Sequence, residues 1–209
     1  VSTPRPRRPV MLDPASLDSF AQDRLDPAVI TQIAHETAAV VVRTGRARQD
    51  PEVTRRLVEL VDDIGLSTVA ELWAARPARS LPGALWRLYA LREWVRRDGA
   101  GASTDYRDGL AFAQVSGAIA GVATPPGPEE MRRLADAVLT GVFTGDLAGA
   151  LERAGAFCRV VAAGRASRDD VRPIESLAVR GLASGAAQIA TMAEDLEASA
   201  KLWRREALD

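Results

Sequence analysis

Apolar positions recur along the chain at the three-to-four-residue spacing that keeps them on one face of an α-helix. Over residues 27–46, Val29, Ile30, Ile33, Thr37, Val40 and Val41 share one side. Over 51–64 the stripe is Val53, Leu57, Leu60, Val61 and Ile64. Met131, Leu134, Val138 and Val142 repeat it over 128–143, and Leu147, Leu151, Ala154, Phe157, Cys158 and Val161 over about 146–163. Further helices are predicted at about 14–24, 67–76, 82–98 and 105–122, and a long one from 173 to about 207. Sustained alternation of apolar and polar residues is absent. Val40-Val41-Val42 is the one strand-like run; it is short and lies inside a helical period. The pattern predicts an all-α protein, a single irregular bundle of about eight or nine helices with a long C-terminal helix.

Proline and aspartate mark the starts. Asp13-Pro14, Asp26-Pro27 and Asp50-Pro51 place a capping carboxylate before a proline at the first helical position. There the missing N–H costs no hydrogen bond. Pro82, Pro128 and Pro173 suit the same first-turn role, and Gly65 and Gly99 are placed to close helices in the left-handed conformation. Pro4, Pro6 and Pro9 among Arg5, Arg7 and Arg8 make residues 1–12 a disordered basic tail. Residues 13–209 are then one helical domain, with a flexible turn at 123–127 around Thr124-Pro125-Pro126-Gly127.

Three predicted helices have unusual faces. In the fifth, Leu81, Ala84, Leu85, Leu88, Leu91 and Val95 line one side, while Trp86, Ala90 and Trp94 line another. Such a helix is either packed from both sides or presents Trp86, Tyr89 and Trp94, with Arg92, as a partner-binding ridge. Were Arg92 half-buried, it would need a carboxylate, with Glu36 and Asp105 as candidates. In the sixth, Gly109, Ala113, Gly117 and Gly121 stand four apart and invite close approach of another backbone. In the last, Leu182, Ile189, Leu196 and Trp203 recur seven apart, with Met192 and Ser199 between. That seam serves packing within the chain or a homodimer.

Composition changes this picture little. The 209 residues carry 27 basic and 28 acidic side chains, a formal net charge of -1, which excludes a strongly basic nucleic-acid binder on bulk charge. Lys201 is the only lysine, an arginine bias that fits the codons of a high-GC bacterium. With 47% hydrophobic residues the whole chain is not disordered, and no apolar run approaches a membrane span. No secretory signal pattern follows the basic tail, so a cytoplasmic location is expected.

The chemistry-bearing residues are few. Cys158 is the single cysteine and His35 the single histidine. His35-Glu36 begins a zincin motif that fails at Ala39, and Gln32 stands where a di-iron bundle needs a carboxylate. Asp62-Asp63, Glu129-Glu130, Asp169-Asp170 and Glu194-Asp195 are adjacent pairs that diverge on a helix. No catalytic, metal or cofactor residues are assigned, and no cofactor is expected.

Three functions remain open. The first is a non-enzymatic helical interaction or regulatory protein, using the aromatic ridge or the C-terminal seam on a protein partner or on itself. The second is a DNA-associated regulator with a degenerate helix-turn-helix at 53–79, weakened by Glu59, Asp62, Asp63 and Glu71 on the approaching side. The third is a small-ligand binder or enzyme with an interhelical pocket using Arg92, His35 or Glu36.

Overall fold

The computed structural model describes residues 26–48, 50–111, 127–168 and 185–209. Among them the structure is all-α, with nine helices and no strand: α1 (Pro27–Arg48), α2 (Pro51–Val58), α3 (Leu60–Ile64), α4 (Leu66–Trp73), α5 (Leu81–Arg97), α6 (Gly99–Gly109), α7 (Pro128–Thr144), α8 (Leu147–Arg168) and α9 (Ala186–Arg204). The tail, the helix expected at 14–24, Ala113, Gly117, Gly121, Pro173 and Leu182 lie outside the described residues.

The helix starts follow the capping chemistry. Asp26 accepts from the Ala28 N–H at 2.8 Å and Asp50 from the Glu52 N–H at 2.8 Å. Ser80 accepts from Gly83 ahead of α5, and Asp146 from Gly149 ahead of α8. Asp98 accepts from the Gly101 N–H at 2.9 Å. That last bond changes one expectation: Gly99 does not close α5 in a left-handed turn but is the first residue of α6, which therefore starts at 99 rather than about 105. Gly145, at φ +108°, is the left-handed closer, between α7 and α8. The helix expected over 51–64 is broken at Glu59 into α2 and α3. Gly65, at φ +83°, then turns the chain into α4, a backbone angle that side chains resist.

Helix α5 is packed from both sides. Trp86, Tyr89 and Trp94 are at most 2% exposed, so the stripe expected as a partner-binding ridge belongs to the core. The reason is that α5 lies among α1, α4, α7 and α9, with α6 and α8 behind its C-terminal half. Trp73 of α4 meets the Tyr89 ring at a centroid distance of 6.2 Å, and Phe157 of α8 meets Trp94 at 6.3 Å and Tyr106 at 5.7 Å. The Tyr89 hydroxyl donates to the Leu57 carbonyl, and the Trp73 indole N–H to the Thr37 hydroxyl at 3.1 Å. Buried residues of all nine helices join in one hydrophobic cluster.

The α9 seam is likewise filled by its own chain. Ile189, Met192, Leu196 and Ser199 are buried and Trp203 is half-buried, with α9 laid along α8. Gly155 permits that approach: a Cβ there would stand 2.9 Å from Glu197 Cγ and 3.2 Å from the Ala193 carbonyl. Arg159–Glu197 and Arg204–Glu152 ion pairs bracket the contact. Ile189 and Leu196 are therefore unavailable as the dimer seam that their heptad spacing suggested. After α9 the chain turns back, burying Leu208 and letting the Asp209 carbonyl accept from the Leu81 N–H at 2.5 Å.

Among the described glycines, the tightest approach to a neighbouring helix is at the crossing of α6 and α8. A Cβ on Gly109 would stand 1.8 Å from the Val160 carbonyl oxygen, and one on Gly164 1.9 Å from that of Asp105. Beside the crossing, Arg165 Nε donates to Asp105 Oδ2 at 2.9 Å, with both side chains at most 1% exposed. The Arg165 guanidinium also lies 5.1 Å over the Trp94 ring. Gly109→Ala or Gly164→Ala must push two backbones apart. Each is expected to lower stability by about 3 kcal/mol or more in denaturant unfolding. Ala137→Gly, exposed on α7, should cost only about 1 kcal/mol.

Candidate functional site

The side chain that α5 turns away from the aromatic core is Arg92. It is 5% exposed, and its partners are neither Glu36 nor Asp105. Asp105 is engaged by Arg165, and Glu36 lies exposed on α1, accepting from Gln32. Instead Nε of Arg92 donates to Asp136 Oδ1 of α7 at 2.6 Å, and Nη1 to Asp62 Oδ2 of α3 at 3.3 Å. One buried guanidinium thus ties together the central helix and two outer ones. Arg96, one turn on, also donates to Asp62.

Above Arg92 lies an open cleft of about 570 Å³ between α2 and α7. Pro51, Thr54 and Val58 form one wall, Asp136, Thr140 and Thr144 the other, and Arg55 and Glu59 stand at the rim. Spacing explains the second wall: residues 136, 140 and 144 are four apart and fall on one face of α7. Thr140 and Thr144 donate to the carbonyls one turn earlier, which commits each hydroxyl proton within α7 and leaves the oxygen able to accept. Thr54 is buried, and its hydroxyl makes no hydrogen bond among the described residues.

Charges in and around the cleft are matched. Arg92 and Arg96 face Asp62 and Asp136, while Arg55 and Arg56 face Glu52 and Glu59. Partial burial pushes the Asp62 carboxyl up, but the hydrogen bond from Arg96 and the charge of Arg92 outweigh it and hold it below the ordinary value. At the rim, hydrogen bonds from Arg55 and then Arg56 bring Glu52 down to about 2.

The other candidate residues do not join this site. His35 is half-buried on α1 and does not line the cleft. Cys158 is fully buried in α8, where desolvation and the nearby Glu197 push the thiol far above its ordinary range. No group of three or more His, Cys, Asp or Glu side chains is placed to hold a metal among the described residues. No helix among them is long and apolar enough to cross a membrane. In the stretch expected as a helix-turn-helix, α4 buries Leu66, Val69 and Trp73 and carries no cation, with Glu71 exposed. Arg76 donates to Thr31, and Arg79 pairs with Asp195.

A second cleft of about 570 Å³ lies where Gly145, Asp146 and Ala148 meet the end of α9. Its floor includes Trp203, with the Arg46 guanidinium 5.7 Å from the ring centroid. Its cations sit on exposed side chains, whereas the first cleft is built over a buried one. No family model, curated protein or solved structure matches the chain.

The Asp62 carboxyl has a pH consequence. Its folded-state value is lowered, so its contribution is complete above about pH 4 and disappears as the pH falls through the lowered value. With Asp62 36% exposed, solvent screening limits the effect to roughly 1 kcal/mol or less. Urea unfolding of the native protein should lose stability from pH 5 toward pH 2, and Asp62→Asn should lose less over that interval. Equal losses would assign the acid sensitivity to other carboxylates.

Proposed function

We propose that the protein is a non-enzymatic binding protein whose ligand seats in the cleft between α2 and α7, over Arg92. The observation that carries this reading is a buried, doubly paired arginine at the base of an open cleft. Keeping a guanidinium at 5% exposure is costly unless its neighbours are fixed, and here two carboxylates from different helices fix it. The same arrangement preorganises the groups around it, which lowers the ordering cost of binding.

The mixed lining supports a small molecule. Val58, Pro51 and the threonine methyls offer apolar area, and a few placed polar groups supply orientation, the usual composition of ligand pockets. The aromatic ridge and the C-terminal seam no longer support a protein-partner mechanism, because Trp86, Trp94, Ile189 and Leu196 are core. Among the described residues the large exposed apolar side chains are Val29, Val40 and Ile64, and none lines the cleft.

Chemical-shift mapping tests it. A fragment mixture of uncharged, anionic and cationic compounds is expected to shift the amide and methyl signals of Thr54, Val58, Thr140 and Thr144. Shifts concentrated instead around Arg46 and Trp203, or none anywhere, would overturn the assignment.

A further inference from the structure

The ligand's chemical class follows from how Arg92 spends its donors, given that the cleft is the binding site. A guanidinium presents Nε–H and one Nη2–H side by side on one edge, a fork that a carboxylate ordinarily closes with two parallel bonds. Here Asp136 takes only the Nε–H, at 2.6 Å through Oδ1. Nη1 is spent on Asp62. Nη2 makes no hydrogen bond among the described residues and is not among their fully buried unpartnered atoms, and Arg92 is a lining residue of the cleft. The second Asp136 oxygen is likewise unspent, on a side chain that is 47% exposed. An uncommitted donor and an uncommitted acceptor therefore belong to two ion-paired residues that both line the cleft.

The charge balance decides what can use them. Arg92 and Arg96 already face two carboxylates. An anionic ligand reaching Nη2 would meet Asp136 at its side. A cationic ligand reaching Asp136 would meet Arg92. Either would give up hydration without finding an unmatched counter-charge, which is unfavourable in a partly dry site. An uncharged group that accepts at one atom and donates at the next meets neither repulsion.

We infer that the cleft takes an uncharged ligand with a carboxamide edge. Its C=O accepts from Nη2 of Arg92, its N–H donates to the free oxygen of Asp136, and its apolar part lies on Val58, Pro51 and the threonine methyls. No bond is made or broken, and no proton changes place.

Three probes that share one branched apolar group separate this inference from the cleft assignment it rests on: isobutyramide, isobutyrate and isobutylamine, titrated into the full chain at one ionic strength by NMR. Isobutyramide is expected to bind at Thr54, Thr140 and the Arg92 Nε–H signal at least several-fold more tightly than either charged analogue. Asp136→Asn keeps the acceptor for Nε–H and turns the other position into a donor. It should weaken isobutyramide roughly tenfold or more, the scale of a lost hydrogen bond to a charged group. Thr140→Phe, on an exposed position, should block all binding while the fold is kept. If isobutyrate or isobutylamine binds at the same residues more tightly, the cleft assignment stands and the carboxamide inference falls. If isobutyramide binds but Asp136→Asn leaves its affinity unchanged, the proposed edge is wrong. If no probe perturbs the cleft, both fall.

Discussion

The structure depends on the contact between α6 and α8, where two backbones meet with no side chain between them at Gly109 and Gly164. Glycine inside a helix costs about 1 kcal/mol against alanine, so two of them at one crossing need a return. That return is close packing, and it brings the Asp105 and Arg165 side chains within 2.9 Å of each other, both buried. A buried ion pair of this kind gives little net stability but penalises every arrangement that separates the charges. Glycines and ion pair thus set one spacing and one register for α6 on α8. Arg165 extends that register to α5 by lying over Trp94.

From this frame outward, α5 acts as the axis. Its Trp94 end is held by Phe157 and Arg165, and its Tyr89 region by Trp73 and the Leu57 carbonyl. With its aliphatic and its tryptophan stripe both committed to packing, Arg92 is turned to the gap between α3 and α7. The two aspartates meeting it there make the cleft a consequence of how the axis is surrounded. The cleft wall on α7 needs no special device beyond four-residue spacing. The wall on α2 is made by Pro51, Thr54 and Val58.

Much of this was legible in the amino-acid sequence, for stated reasons. Helical period and a proline in the first turn are local properties, so α1, α5 and α7, with Pro27, Pro82 and Pro128, appear nearly where periodicity puts them. Gly109 could be read as a close-approach position, but its partner Gly164 lies far along the chain and nothing local pairs them. The two-sided face of α5 was visible; whether it faced solvent or protein was not, because that is decided by α1, α4 and α7. Arg92 was visible as a half-buried cation, yet its partners Asp62 and Asp136 depend on the break at Glu59 and the placement of α7. The Asp136–Thr140–Thr144 stripe carried a signal that went unused: three polar residues, two of them β-branched and modest helix formers, at one-turn spacing. Gly99 misled because a capping aspartate directly before it reverses its meaning.

Amide hydrogen exchange under native conditions tests the central claim most directly. Near the crossing, the amides of α6 over 103–109 and α8 over 158–165, with those of α5 over 88–95, should exchange only through global unfolding. They should remain the slowest in the protein, while α2, α3 and α4 open locally at lower free energy. In Asp105→Asn the slowest set should speed up together, in step with the loss of global stability. Amides at the crossing that exchange by local opening faster than those of α2 would contradict the account, since the contact said to set the frame would be the first to come apart.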